Sequence, residues 1–228
     1  MTVTLVTGAN KGLGHETARQ LISLGHTVYI GARSVERGQA AATELGASFV
    51  PLDVTDDASV STALDVIAGR EGHLDVLVNN AGISTTADVN GQVAQEVFDT
   101  NVIGVIRVTQ AALPLLEKSE NPVVVNVSSA LGSFWAVTNP ERRQFHFPSI
   151  VYGSSKAAVS MLTVQYAKTF PGIKFNAVEP GFTATELTPF SGAGQPVEKG
   201  AEVIVRMATI GSDGPTGTFW EGEDELGW

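Results

Sequence analysis

Short apolar runs rich in β-branched residues recur along the chain: Val3–Val6, Thr27–Ile30, Ser48–Val50, Val76–Val78, Val123–Val127 and Ile173–Val178. Between them, polar and apolar positions follow helical spacing, as in Glu16–Leu24 and Val35–Leu45. A run that is apolar at successive positions leaves no face for solvent, and strands separated by helices pair in parallel. The pattern predicts an α/β fold, a doubly wound parallel sheet with helices on both faces. Ligands of such sheets sit at the carboxyl ends of the strands.

The rhythm breaks twice. Gly132–Ser149 holds Phe134, Trp135, Phe145 and Phe147 with no period, and Thr183–Pro196 is rich in Thr, Gly and Pro. Both read as long loops, which in compact domains tend to be lids or binding segments. The acidic end Glu221–Trp228 reads as a tail that frays. No repeat or long linker divides the chain. Residues 1–228 therefore read as one domain, with substrate loops at 130–150 and 183–196.

Composition narrows the function classes. Of 228 residues, 43% are hydrophobic and 17% charged, a globular balance that excludes wholesale disorder. The net charge of −10 makes the chain a poor general partner for nucleic acid or an anionic membrane. Without cysteine there is no thiolate catalysis, disulfide or cysteine zinc site. His15, His26, His73 and His146 lack metal-ligand spacing, so no metal is expected. No apolar run is long enough to span a bilayer, and the first residues lack signal-peptide features. A soluble cytoplasmic protein is the expectation.

Directly after the first run stand Thr7-Gly8-Ala9-Asn10-Lys11-Gly12-Leu13-Gly14, and then a helix. Glycines there allow a tight turn and close approach of a pyrophosphate. The helix start adds free N–H groups and a positive dipole end. The spacing is neither the usual dinucleotide fingerprint nor a P-loop, because no Gly-Lys-Ser/Thr follows. In NAD-binding sheets an acid near the end of the second strand holds the ribose 2′-hydroxyl. Here that strand ends Tyr29-Ile30-Gly31-Ala32-Arg33. An arginine fork binds a 2′-phosphate that a carboxylate would repel. Lys11 and Arg37 add positive charge nearby, so NADP(H) is the expected cofactor.

Tyr152 and Lys156 stand four positions apart in a helical segment and so share a face. An ammonium beside a phenol favours the phenolate and lowers its pKa. Such a tyrosine can protonate a carbonyl oxygen as hydride arrives, or take the proton back from an alcohol.

These residues, with Asn79-Asn80-Ala81-Gly82 and Asn126-Val127-Ser128-Ser129, resemble the short-chain dehydrogenase/reductase family. The resemblance runs from Val3 to about Phe219 with the motifs in the family's order. It implies a Rossmann-type sheet of about seven strands in the order 3-2-1-4-5-6-7. It implies that Ser129 polarises the substrate oxygen, that Lys156 also holds the nicotinamide ribose, and that Asn101 supports a water relay to Lys156. It places Asp53 and Val54 at adenine and Asn80, Ala81 and Gly82 along the cofactor. Pro180, Gly181 and Thr183 are placed at the nicotinamide carboxamide. Together with Gly8, Asn10, Lys11, Gly12, Leu13, Gly14, Arg33, Arg37, Tyr152 and Lys156, these form the expected cofactor site. Ser128 competes with Ser129 for the substrate role, and Ser129 is favoured.

The gap between Ser129 and Tyr152 is wider than many members show. Thr7–Gly14 and Gly31–Ala41 resemble the carbonyl-reductase branch. In that branch an insertion covers the helix face that others use to form tetramers, which favours a monomer over a homo-oligomer. Phe134, Trp135, Phe145, Phe147 and Phe182 are expected to wall a pocket for an apolar carbonyl compound. Two other readings stay open: an NADP-binding sensor without turnover, and a secondary-alcohol dehydrogenase working oxidatively.

Overall fold

The computed structural model describes residues 1–85, 87–185, 187 and 194–228. Seven strands alternate with helices before a short return strand. The strands are β1 (Val3–Thr7), β2 (Thr27–Ala32), β3 (Ser48–Pro51), β4 (Val76–Asn79), β5 (Val123–Val127), β6 (Lys174–Glu179), β7 (Phe219–Glu221) and β8 (Asp224–Glu225). Their order is β3-β2-β1-β4-β5-β6-β7-β8. All pairs are parallel except β7 with β8. The eighth strand goes beyond the expected seven. It turns back at Gly222, whose φ of +58° suits a residue without a Cβ.

The helices are α1 (Gly12–Ser23), α2 (Val35–Leu45), α3 (Asp57–Glu71), α4 (Gly91–Phe98), α5 (Gly104–Leu116), α6 (Phe134–Thr138), α7 (Ile150–Thr169) and α8 (Val197–Ala208). The two-residue period of each strand divides the core into two layers. Leu5, Leu77 and Val124 pack with Ile67, Val108, Leu116 and Tyr166 of α3, α5 and α7. Their neighbours Val6, Val78 and Val125 pack on the other face with Leu21, Ala42 and Ile204 of α1, α2 and α8. Every residue of β1, β4 and β5 is buried, as strands covered on both faces require.

Two expectations are corrected here. The segment after β5 is not one irregular loop. It holds a 3-10 turn at Ala130–Gly132, α6, and a second 3-10 turn at Arg143–His146. The tail does not fray: Leu226 is buried, Ser133 Oγ donates to the Gly227 carbonyl at 2.6 Å, and Trp135 N–H donates to the Trp228 carbonyl at 2.9 Å. Trp228 also stacks on buried Phe219, with ring centroids 5.5 Å apart. The acidic composition of the tail hid these apolar and main-chain contacts. In the 183–196 loop, residues 186 and 188–193 lie outside the described residues.

Candidate active site

The glycine run leaves β1 through Gly8, whose φ is +66°, and enters α1 through Gly12, at +58°. A Cβ on Gly8 would meet the Ala81 backbone at 2.9 Å, and one on Gly14 would meet the Gly8 carbonyl at 2.8 Å. The loop is fastened to the end of β4. Thr7 Oγ1 accepts from the Asn80 and Ala81 N–H groups, both at 3.0 Å, while Asn80 Nδ2 donates to the Thr7 carbonyl at 2.8 Å. Among the described residues no side chain caps the start of α1, which leaves its first N–H groups to the cradle. Thr185 of the 183–196 loop arches over Gly12, 3.6 Å from where its Cβ would lie.

At the end of β2, Arg33 is exposed, and its charge helps hold the Asp53 carboxyl below its usual range. The larger cause is the Thr55 N–H, which donates to Asp53 Oδ1 at 3.0 Å. Asp53 therefore forms a turn, and the capping of α3 falls to Asp56. Arg37 lies exposed in the first turn of α2.

Asn101 sits in a π-helical turn, Asp99–Ile103, between α4 and α5. Its buried amide is bonded at both ends. Oδ1 accepts from Ile83 N–H at 2.8 Å, and Nδ2 donates to the Ile83 carbonyl at 2.9 Å and to Ser155 Oγ at 3.0 Å. Arg107 braces that turn, with ion pairs to Asp99 at 2.7 Å and Asp57 at 3.0 Å. Gly82 leaves room beside both groups: a Cβ there would lie 3.3 Å from Asn101 Oδ1 and 3.6 Å from Lys156 Nζ.

The 3-10 turn after β5 presses on α7. A Cβ on Gly132 would meet Ala157 N at 2.5 Å, and one on Gly153 would meet the Leu131 carbonyl at 2.9 Å. Two glycines at the crossing thus set the turn that follows Ser129 against the helix that carries Tyr152, and the Ser129 hydroxyl tempers the rise in the Tyr152 pKa. The neighbouring serine is spent elsewhere: buried Ser128 donates to the Lys156 carbonyl at 3.0 Å and bonds Ser160 Oγ at 3.0 Å. Lys156 Nζ donates to the Val127 carbonyl at 2.7 Å and stands 5.6 Å from the centre of the Tyr152 ring.

Burial pulls the Lys156 ammonium down to about 8 and pushes the Tyr152 hydroxyl above its ordinary value. The expected lowering of Tyr152 by Lys156 is not seen: loss of solvent, first, and then a carboxylate the sequence reading did not single out, Glu179, push the hydroxyl up, and the lowering influence comes from Ser129. Glu179 ends β6 almost wholly buried. Its one visible signal was a charge continuing an apolar strand into Pro180-Gly181. Beyond it, Gly181 takes φ +77°, and Thr183 Oγ1 donates to the Pro180 and Gly181 carbonyls at 3.2 and 3.0 Å.

The match to the short chain dehydrogenase family model covers residues 2–195. The chain belongs to that family. A short-chain dehydrogenase of Penicillium roqueforti is 36% identical over 92% of this chain and 89% of its own length. Salutaridine reductase of Papaver bracteatum is 31% identical over 97% of the chain and 94% of its own. Among solved structures, the NADPH-bound carbonyl reductase from chicken fatty liver superposes with a TM-score of 0.86. It is 27% identical and matches over the full length of both chains.

In this short-chain dehydrogenase the aromatic residues divide. A cavity of about 310 Å³ is lined by Leu131, Phe134, Phe145, Phe147, Ile150 and Ala157, among others. It abuts Gly153, Ser154 and Ala157 of α7 and not the face of Tyr152 and Lys156. Trp135 turns instead to the tail and Arg142, whose guanidinium lies 5.4 Å over its ring. Phe182 lies under Arg143, at 5.9 Å. Among the described residues, no helix is long and apolar enough to cross a membrane.

Proposed function

We propose that this short-chain dehydrogenase is an NADPH-dependent reductase of ketones or aldehydes, with Tyr152 as general acid. The observation that carries the reading is a phenol held in its protonated form beside a second hydroxyl, Ser129, with the Lys156 ammonium on the same helix face. A carbonyl oxygen between the two hydroxyls accepts a hydrogen bond from each. As charge develops on that oxygen, Tyr152 delivers its proton and Ser129 stabilises what remains. The protonated Lys156 offsets the negative charge left on the tyrosine. Asn101, bonded at both ends of its amide, holds the backbone around Gly82 and Lys156 in place.

The residues present fit a dinucleotide. A side chain at Gly8 or Gly14 would close the cradle, and the uncapped start of α1 provides main-chain donors for a pyrophosphate. Arg33, Lys11 and Arg37 would meet a 2′-phosphate. Asp53 and Val54 would meet adenine, and Asn80, Ala81 and Gly82 would line the path to Lys156 and the Pro180–Thr183 turn. When bound, the cofactor supplies the hydride for the carbonyl carbon. The chain's similarity to a carbonyl reductase and to salutaridine reductase favours the reductive direction. The segment from α6 to Ser149 faces α7 across that cavity, which supports a monomer.

The test is NADPH oxidation over a panel of ketones, aldehydes and quinones, with NADH in parallel. Turnover with NADPH and little with NADH is expected. Tight NADPH binding with no turnover on any compound would favour a sensor.

A further inference from the structure

The segment between β5 and α7 encloses a cavity that the Tyr152 site does not use. Its volume is about 310 Å³, at the small end of the roughly 300–1,000 Å³ that small-molecule sites span. Ser129, Tyr152 and Lys156 are absent from its lining. Helix α7 meets it through Gly153, Ser154 and Ala157, which the helical turn places on another face from Tyr152 and Lys156. The facing walls come from α6 and the Arg143–His146 turn. The tail holds α6 from outside: Ser133 Oγ donates to the Gly227 carbonyl at 2.6 Å, and Trp135 N–H to the Trp228 carbonyl at 2.9 Å. One wall is thus fixed by the fold itself.

The lining is more apolar than a surface requires. Phe134 is 72% exposed, Phe147 57% and Ile150 69%, and Leu131, Val137 and Phe145 join them around the one cavity. Single exposed apolar side chains need no explanation, whereas converging ones mark a place where something apolar binds.

One polar atom in this wall is left over. Gln144 also lines the cavity, and its side-chain oxygen is buried with no hydrogen-bond partner among the described residues. The serines around it are engaged: Ser133 with Gly227, Ser154 with the Ile150 carbonyl, and Ser149 with the Gly153 N–H. A buried acceptor without a donor is costly, so it favours an occupant that brings one. A water there would need further polar partners, and the neighbouring hydroxyls are already committed.

We propose that this cavity is a second binding site, separate from the one built on Tyr152, for a compact aromatic or apolar molecule whose single hydroxyl donates to Gln144 Oε1. Phe134, Phe145 and Phe147 receive its apolar body, and Gln144 orients it. The chemistry is that of a phenol or a small hydrophobic alcohol. A second copy of the chain fits less well, because it would have to bring a donor to this one buried oxygen as well as an apolar face. The site does not depend on the reductase reading, since neither the cofactor cradle nor Tyr152 takes part in it.

The experiment is calorimetric titration of thymol and of thymol methyl ether into the cofactor-free chain, as wild type, Gln144→Leu and Ser154→Trp, with sedimentation of each protein. The ether keeps the apolar body and has no proton to give. Wild type should bind thymol saturably and hold the ether about tenfold more weakly, the scale of a buried acceptor left unmet. Gln144→Leu should bind the two within about threefold of each other. Ser154→Trp fills the cavity from an exposed position of α7 and should bind neither while melting as wild type does. Where Ser154→Trp melts early, Val137→Trp fills the same cavity from α6.

Equal affinity for the two probes in wild type, a preference that persists in Gln144→Leu, thymol binding that survives the filled cavity, or no saturable binding up to the solubility limit overturns the site. A wild-type dimer that Ser154→Trp dissociates gives this face to a second copy and overturns it too. Absence of NADPH-dependent turnover counts against the reductase reading alone and leaves this site standing.

Discussion

Replacing Gly132 with alanine separates the two hydroxyls on which the reaction depends. The new Cβ would lie 2.5 Å from Ala157 N and 2.8 Å from Lys156 Cβ, where ordinary contacts begin near 3.4 Å. The obstacle is the backbone of α7, so the 3-10 turn carrying Ser129 and the helix carrying Tyr152 must part by about 1 Å. Overpacking of this kind costs about 1–3 kcal/mol. In a chain of this size, each kcal/mol lowers Tm by about 2–4 °C. A misplacement of about 1 Å in a reaction centre costs roughly 100-fold in rate. The assay is kcat for NADPH-dependent carbonyl reduction, alongside Tm by differential scanning fluorimetry. Gly69→Ala is the control. Gly69 lies within α3 with nothing near its missing Cβ, so alanine should stabilise by about 0.5–1 kcal/mol. It should leave kcat unchanged. Wild-type kcat and Tm in Gly132→Ala would refute the claim that this crossing sets the site.

Two further outcomes follow from charge. Arg33→Ala should raise KM for NADPH about tenfold or more while leaving KM for NADH within about twofold, because only the former has a 2′-phosphate to lose. Equal effects on both cofactors would remove Arg33 from that role. Lys156 has a folded pKa of about 8 against an ordinary 10.5. The unfolded chain thus holds the extra proton between those values, and stability from this group rises with pH across that window. Below it the burial penalty is complete. In urea denaturation, Lys156→Met should therefore gain most over wild type at pH 7.5 and progressively less toward pH 10. A gap that does not change with pH would contradict the assignment.

The sheet was legible because each strand is apolar at successive positions, a pattern that only two-sided cover explains. The cradle was legible because Gly8, Gly12 and Gly14 are required by positive φ or by close backbone approach. What stayed hidden depends on packing between distant segments. Ser128 and Ser129 are alike in sequence, and only the placement of α7 shows that Ser128 is consumed by Lys156 and Ser160. Phe134 and Trp135 are adjacent aromatics, yet one lines the cavity and the other meets the tail. Glu179 was invisible as a site residue because its partners arrive from β5 and α7, far away in the chain. The Lys156 effect on Tyr152 was read from spacing alone, which carries no measure of desolvation or of a third charge.

The most direct test of the account is Tyr152→Phe, which removes one oxygen and leaves the ring in place. Turnover of the best carbonyl substrate should fall by about 10²–10⁴, the scale of a lost general acid, while NADPH binding followed by cofactor fluorescence stays within a few-fold of wild type. Tyr152→Phe that turns over like wild type would contradict the assignment of Tyr152 as the proton donor.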